Sequence, residues 1–351
     1  MSGQAATQVT GDDAARDDSG APETIIRARN LSVHFPIGGG LFTKKLFLRA
    51  VDGVDLNIPQ GSFFGLVGES GSGKTTLGRA FLRASPITTG EVEYHDDEVS
   101  YDLVNLGKEQ LKDYRRRAQL IFQDPYAALS PRMTVRDIIA EPLEVMEITS
   151  TREETDEVVR TIASKCRLNL EHLRRFPHAF SGGQRQRISI ARALVCNPRF
   201  VVADESVAAL DVSIQADILN LLKSLQNDLG LTYLFISHDL SVVAHITDHV
   251  AVMYLGRLVE SAPTRKLFSA PGHPYTQALL SAIPSLDPDH RGAAQKLEGE
   301  IPSPTRPPPG CKFHTRCPYA TEICSEQEPV LQHVGDEHEV ACHHWKEIGG
   351  G

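Results

Sequence analysis

The stretch SFFGLVGESGSGKTTLGRAFLRA, Ser62 to Ala84, decides the fold. It begins as a short apolar run ending in glycine, the pattern of a buried strand. It closes with TLGRAFLRA, which reads as a helix. Between them GESGSGKTT, Gly68 to Thr76, fits G-x-x-x-x-G-K-[ST], and a strand before and a helix after are the context that motif requires. A glycine-rich turn matching by chance would lack those flanks. Such glycines let the backbone wrap phosphates with its N–H groups turned inward. Gly68, Glu69, Ser70, Gly71, Ser72, Gly73, Lys74, Thr75 and Thr76 are therefore the candidate nucleotide-binding loop. Lys74 is expected at the β- and γ-phosphates and Thr75 on Mg²⁺.

Outward from that loop, strands and helices alternate. AQLIFQ reads as a buried strand ending at Gln123, and FVVADE and LTYLFISHD as two more. SIQADILNLLKSLQNDLG reads as a helix, and HVAVMYLGRLVE as two strands around Gly256. The pattern predicts an α/β fold with a mainly parallel sheet. Residues from about Asp124 to Arg175 turn helical and read as an insertion. Beyond about Asp287 proline and glycine rise, and PSPTRPPPG looks like a linker into a cysteine-containing segment.

Composition narrows the class. The chain has 351 residues, 41% of them hydrophobic and 23% charged, enough for one large domain and a smaller one. A net charge of −9 weighs against nucleic acid as a partner. Residues 1–23 are polar, acidic and small, and are expected to be a disordered tail of a cytosolic protein rather than a signal peptide. No apolar run approaches the ~20 residues that span a bilayer, so any membrane role is expected to run through partners.

Three further features carry chemistry. FVVADE ends in two carboxylates: Asp204 is placed to hold Mg²⁺ beside a phosphate loop, and Glu205 to orient or deprotonate an attacking water. Glu205 capping the next helix is the plainer alternative. His238 in ISHD and Gln123 also stand at strand ends, where ligand sites of α/β sheets form. SGGQRQRISIARAL, Ser181 to Leu194, opens with a hydroxyl and two glycines and continues with apolar residues at helical spacing. It is a second helix start suited to an anion, in a chain that already carries a phosphate loop.

These motifs resemble, in order and approximate spacing, those of the ATP-binding cassette (ABC) family, over about residues 24 to 285. The resemblance implies a P-loop NTPase-like ABC nucleotide-binding domain with a parallel-sheet core, an antiparallel β part and a helical subdomain at about 124–180. It implies ATP and Mg²⁺ as ligand and cofactor. It also explains the second anion site. In that family two cassettes pair head to tail, and the signature helix of one caps the γ-phosphate bound by the other. Ser181, Gly182, Gly183 and Gln184 are then expected to serve a partner's ATP. Gln123 resembles the glutamine that contacts Mg²⁺ and couples to membrane partners, Glu205 the catalytic base and His238 the switch histidine. Asp211, in the AALD run, resembles the acid crossing the dimer interface. Ser206 departs from the usual proline and Ala208 from the usual serine, which bears on the rate of hydrolysis. Phe47 and Phe42 are the candidates for stacking on adenine.

QDPYAALSPRMTV, the LGRA after the phosphate loop, HPYTQALLSAIP at His273 to Pro284 and the cysteine tail resemble the oligopeptide/dipeptide/nickel branch of importers, and within it the F-type subunit. The resemblance implies a D-type cassette as partner, two transmembrane permease subunits, an extracytoplasmic solute-binding protein acting indirectly, and a peripheral place on the cytoplasmic face of the plasma (inner) membrane. The tail, residues 287–351, reads as a small cysteine-rich module. Cys311, Cys317, Cys324 and Cys342 follow the spacing Cys-x5-Cys-x6-Cys-x17-Cys, wider than usual zinc pairs. Zinc, an iron–sulfur cluster and four unligated thiols all fit the residues; the resemblance implies a [4Fe–4S] cluster. His314, His338, His343 and His344 are nearby ligand alternatives expected on the surface. Two other classes are alternatives: a soluble ABC ATPase working on DNA or ribosomes, against which the single cassette and the acidic charge stand, and a cluster-sensing regulatory ATPase.

Overall fold

The computed structural model describes residues 23–38, 46–208, 210–283, 299–335 and 337–348. Residues 1–22 of the expected tail 1–23, the possible adenine contact Phe42 and the expected boundary between 286 and 287 lie outside them.

Two sheets organise the chain. β1 (Thr24–Ile37), β2 (Leu46–Pro59), β4 (Thr89–His95) and β5 (Ser100–Asp102) form an antiparallel sheet in the order β2-β1-β4-β5. The main sheet takes β3 (Phe63–Val67), β6 (Ala118–Ile121), β7 (Phe200–Asp204), β8 (Thr232–Ser237), β9 (His249–Tyr254) and β10 (Arg257–Pro263), joined by β11 (Gln332–Gly335) and β12 (His338–Val340). Its order is β11-β12-β10-β9-β3-β8-β7-β6, parallel from β6 to β9 and antiparallel beyond.

The parallel strands are near-continuous apolar runs because both faces are covered. Alternate residues feed two cores. Phe63, Val201, Ala203, Tyr233 and Phe235 face one, with residues of α4 (Val135–Val145), α5 (Arg152–Lys165), α6 (Gly182–Leu194) and α7 (Val212–Leu229). Phe64, Leu66, Phe200, Val202, Leu234 and Ile236 face the other, with α1 (Lys74–Phe81) and the antiparallel sheet.

Local chemistry sets the helix starts. Thr134, Thr151 and Asp211 cap α4, α5 and α7 by accepting from backbone N–H groups of the first turn. The expected insertion after Gln123 is helical: it holds α3 (Pro125–Ala128), α4, α5 and two short 3-10 turns ending at Ala179.

Three points of the expected organisation need correction or completion. β6 stops at Ile121 and β7 at Asp204, so Gln123 and Glu205 lie just past their strands rather than within them. The antiparallel β part implied by the resemblance includes a β4–β5 pair, and with α2 (Lys108–Arg117) it fills a stretch to which the sequence reading assigns no element. The C-terminal segment is not set apart: β12 pairs with β10 and β11 with β12, so the tail extends the main sheet.

Candidate active site

The phosphate loop joins β3 to α1. Gly73, at φ 107°, precedes α1, and a Cβ there would stand 2.0 Å from the Ala50 carbonyl oxygen, so no other residue fits. Lys74 is buried, and its ammonium donates to the carbonyls of Gly68 and Glu69, both at 2.8 Å, and to Ser72 Oγ at 3.3 Å. Burial lowers its pKa, opposed by the carboxylates of Glu205, Asp204 and Glu69. Thr75 Oγ1 donates to Asp204 Oδ1 at 2.8 Å, bringing the loop and the end of β7 together. Burial pushes the Asp204 carboxyl up, partly offset by the Thr75 hydrogen bond.

Glu205 sits where β7 ends, at φ 47°, a conformation that non-glycine residues adopt at a cost. Its backbone N–H donates to Ile236 O at 2.9 Å and its carbonyl accepts from Ala208 N at 3.1 Å. These bonds hold the turn that aims the carboxylate. Gln123 Nε2 donates to Glu205 Oε2 at 2.6 Å, and His238 Nδ1 lies 3.2 Å from Oε1. The ends of β6, β7 and β8 thus deliver Gln123, Glu205 and His238 to one point beside Thr75 and Asp204. Ser206 is buried, and its hydroxyl has no partner among the described residues. Ala208 is exposed.

Ser181 and Gln184 form a capping box at the start of α6: Ser181 N donates to Gln184 Oε1 at 3.0 Å and Gln184 N to Ser181 Oγ at 3.4 Å. Both are exposed, Gly182 is half-buried and Gly183 is buried. A Cβ on Gly183 would come within 2.5 Å of Ile214 Cγ2, so this glycine sets how closely α6 approaches α7. Asp211, exposed, accepts from Ile214 N at 3.0 Å and Ser213 Oγ at 2.8 Å, which hold its carboxyl below the usual range. Phe47 is 48% exposed on β2.

Cys311, Cys317, Cys324 and Cys342 all line one small, partly open space, with His273, His314, His343 and His344. Among the described residues, no three His, Cys, Asp or Glu side chains are placed to hold a metal ion. Burial pushes three thiols up: Cys317, Cys311 to about 11 and Cys342 to about 12. His338 is not on the surface: it is 4% exposed, with Nε2 2.8 Å from Glu260 Oε1. His273 is fully buried; its Nδ1 accepts from Tyr275 N at 3.0 Å, and its Nε2 has no partner among the described residues.

Arg316 escaped the sequence reading. It forms an ion pair with Glu69 of the phosphate loop across 247 positions, a pairing no local pattern announces. Its place between Cys311 and Cys317 is the one available signal.

A phosphate loop, an acidic strand end bonded to it and a carboxylate held between glutamine and histidine define a P-loop nucleoside triphosphatase of the cassette type. Comparison with known proteins specifies it. Residues 51–208 match the ABC transporter family and residues 259–324 the oligopeptide/dipeptide transporter C-terminal region. The chain is similar to the oligopeptide transport ATP-binding protein AppF of Bacillus subtilis, 48% identical over 327 residues, covering 92% of this chain and 97% of that protein. It is similar to the di/tripeptide transport ATP-binding protein DppF of Pseudomonas aeruginosa, 45% identical over 93% of this chain and all of that protein. Among solved structures it resembles the dimeric post-hydrolysis cassette MJ0796 bound to ADP and Pi, at 27% identity and TM-score 0.59, over 69% of this chain and 99% of that one. The chain belongs to the ABC transporter ATP-binding proteins and is an ATPase. No helix among the described residues is long and apolar enough to cross a membrane.

Proposed function

We infer that this chain is the ATP-hydrolysing, energy-coupling subunit of an importer for di- or oligopeptides. The observation that carries the hydrolytic part is the convergence of Gln123, Glu205 and His238 on one carboxylate beside the Thr75–Asp204 pair. The peptide cargo is supported by relatives named for oligopeptide and di/tripeptide transport.

The reaction is in-line attack of water on the γ-phosphate, which needs positioning and charge stabilisation more than covalent chemistry. Glu205 orients the water and takes its proton, and its turn beyond β7 fixes that direction. His238 and Gln123 hold the carboxylate from two sides. Lys74 supplies positive charge at the β- and γ-phosphates, and the loop glycines bring backbone N–H groups to them. Mg²⁺, when bound, neutralises charge on the phosphates; Thr75, Asp204 and Gln123 are the oxygen-bearing side chains that would hold it, and hard oxygen donors suit it.

Ser181, Gly182, Gly183 and Gln184 act on ATP held by a second cassette, with Asp211 at the interface. Their exposure suits a contact made in trans. ATP joins the pair and hydrolysis releases it. The partner cassette is a D-type subunit, and the helical segment after Gln123 presses on two permease subunits at the cytoplasmic face of the membrane.

The cysteine tail holds a [4Fe–4S] cluster on Cys311, Cys317, Cys324 and Cys342. Two observations support this reading: the four thiols share one cavity, and a buried His273 lines it. With Nδ1 accepting, neutral His273 carries its proton on an unpartnered Nε2, a donor suited to sulfur. A single zinc ion in tetrahedral thiolate ligation is the alternative for the same four sulfurs.

Glu205→Gln tests the hydrolytic centre. It should lower steady-state hydrolysis by roughly 10²- to 10⁴-fold while ATP stays bound. Turnover at the wild-type rate would remove Glu205 from the role of base.

A further inference from the structure

Glu69 puts a carboxylate in a loop that receives several negative charges, and an unpaired carboxylate there opposes them. The fold answers from the far end of the chain. Arg316 Nη1 donates to Glu69 Oε2 at 2.7 Å and Nη2 to Oε1 at 3.1 Å. The fork is bidentate, the stronger form of this contact. The arginine side chain is 4% exposed and the glutamate 25%, so solvent screens the pair only in part. Its guanidinium lies 5.8 Å from the Tyr254 ring and donates to the Tyr254 hydroxyl at 3.5 Å.

The backbone of Glu69 is gripped from the same side. Its N–H donates to Tyr275 Oη at 2.8 Å. Tyr254, Tyr275 and Phe313 pack ring to ring at 4.7–5.3 Å, tying the loop's two anchors to the segment between Cys311 and Cys317. The Glu69 carboxylate reaches the site electrically, since it is one of the charges raising the proton affinity of Lys74.

We propose that Arg316 is a positioning residue of the nucleotide site: by neutralising Glu69 it holds the phosphate loop ready for ATP, so the C-terminal segment sets nucleotide affinity. This rests on the ATP site described above. The chain's catalytic centre gains a contribution from residues otherwise read as a tail, and the cavity of the four cysteines gains a direct path to the phosphate loop.

Equilibrium binding of a fluorescent ATP analogue to the full-length chain tests it, with thermal unfolding as the check on folding. Arg316→Gln should weaken binding roughly tenfold, by leaving a partly buried, unpaired carboxylate beside the phosphates. Arg316→Lys, which keeps the charge and loses the fork, should fall between. Glu69→Gln should tighten binding a few-fold, because Arg316 then faces the nucleotide unneutralised. The double variant Glu69→Gln/Arg316→Gln should return to near the wild-type affinity. A purely structural arginine would leave the double variant as weak as Arg316→Gln, and that result overturns the proposal, as does unchanged binding by Arg316→Gln. Should Arg316→Gln not fold, Glu69→Gln alone decides, and weaker binding there overturns it. Lys74→Ala separates the two levels: retained binding in that variant defeats the ATP site itself, whereas its loss beside unaffected Arg316 variants defeats only this inference.

Discussion

A non-glycine residue at φ 47°, as Glu205 is, persists only where its surroundings insist on it. Here the insistence comes from backbone bonds to Ile236 and Ala208 and side-chain bonds to Gln123 and His238. The strained turn aims the carboxylate proposed to meet water. Histidines away from the site show the opposite economy. Burial, with a smaller contribution from His338, holds His249 down to about 4, and its ring stacks on Phe64 at 5.2 Å. Between that value and its ordinary 6.5 the unfolded chain binds a proton that the folded chain refuses. Stability therefore rises with pH across this window and is lost as pH falls through it. The contribution is up to about 1.4 kcal/mol per pH unit for one such group. Urea unfolding followed from pH 4 to 7 should show a slope to which His273, also held down to about 4 by burial, adds, and His249→Gln should reduce it by the share of one histidine; an unchanged slope would assign the acid sensitivity elsewhere.

At the scale of elements, helix α6 joins the signature to the core. Gly183 lets it lie against α7, and Ser181 and Gln184 close its first turn. Gly183→Ala should cost about 1–3 kcal/mol through overpacking against Ile214. It should also slow hydrolysis by shifting the start of α6. Adding Ile214→Val, which trims the opposing side chain, should recover part of the stability in thermal unfolding; no recovery would place the clash elsewhere. The elements nearest the site were legible from sequence because each has a strong local signature. β3, β7 and β8 are apolar runs buried on both faces, and the phosphate loop and α6 start on glycines with fixed jobs. β4, β5, β11 and β12 were not legible. They are short, partly exposed and paired across long sequence distances, so no period marks them. Gln123, Glu205 and His238 could each be suspected at a strand end, but only the parallel register brings them to one point.

At the scale of the whole molecule, the division into cassette and tail is less sharp than composition suggests. The proline-rich stretch reads as a linker, yet Pro304 O accepts from Arg49 N, and β12 continues the sheet through β10. Glu260, fully buried, accepts from the backbone of Gly272 and His273 and lies against His338, fastening the tail from inside. Sequence could not show this, because each pairing joins residues that are unremarkable alone. In the proposed head-to-tail pairing a second cassette completes the ATP site, and the exposed signature start of α6 and the exposed Asp211 cap are the surfaces this chain would offer it.

The most direct test of that account is purification of tagged Glu205→Gln protein from its native host in gentle detergent with MgATP present throughout, followed by identification of co-eluting proteins and bound nucleotide. The account predicts a second cassette in equal amount, retained ATP, two polytopic membrane proteins, and loss of the cassette pairing when Ser181→Arg is added. A chain that holds ATP yet elutes alone, with the same profile whether or not Ser181 is replaced, would contradict it.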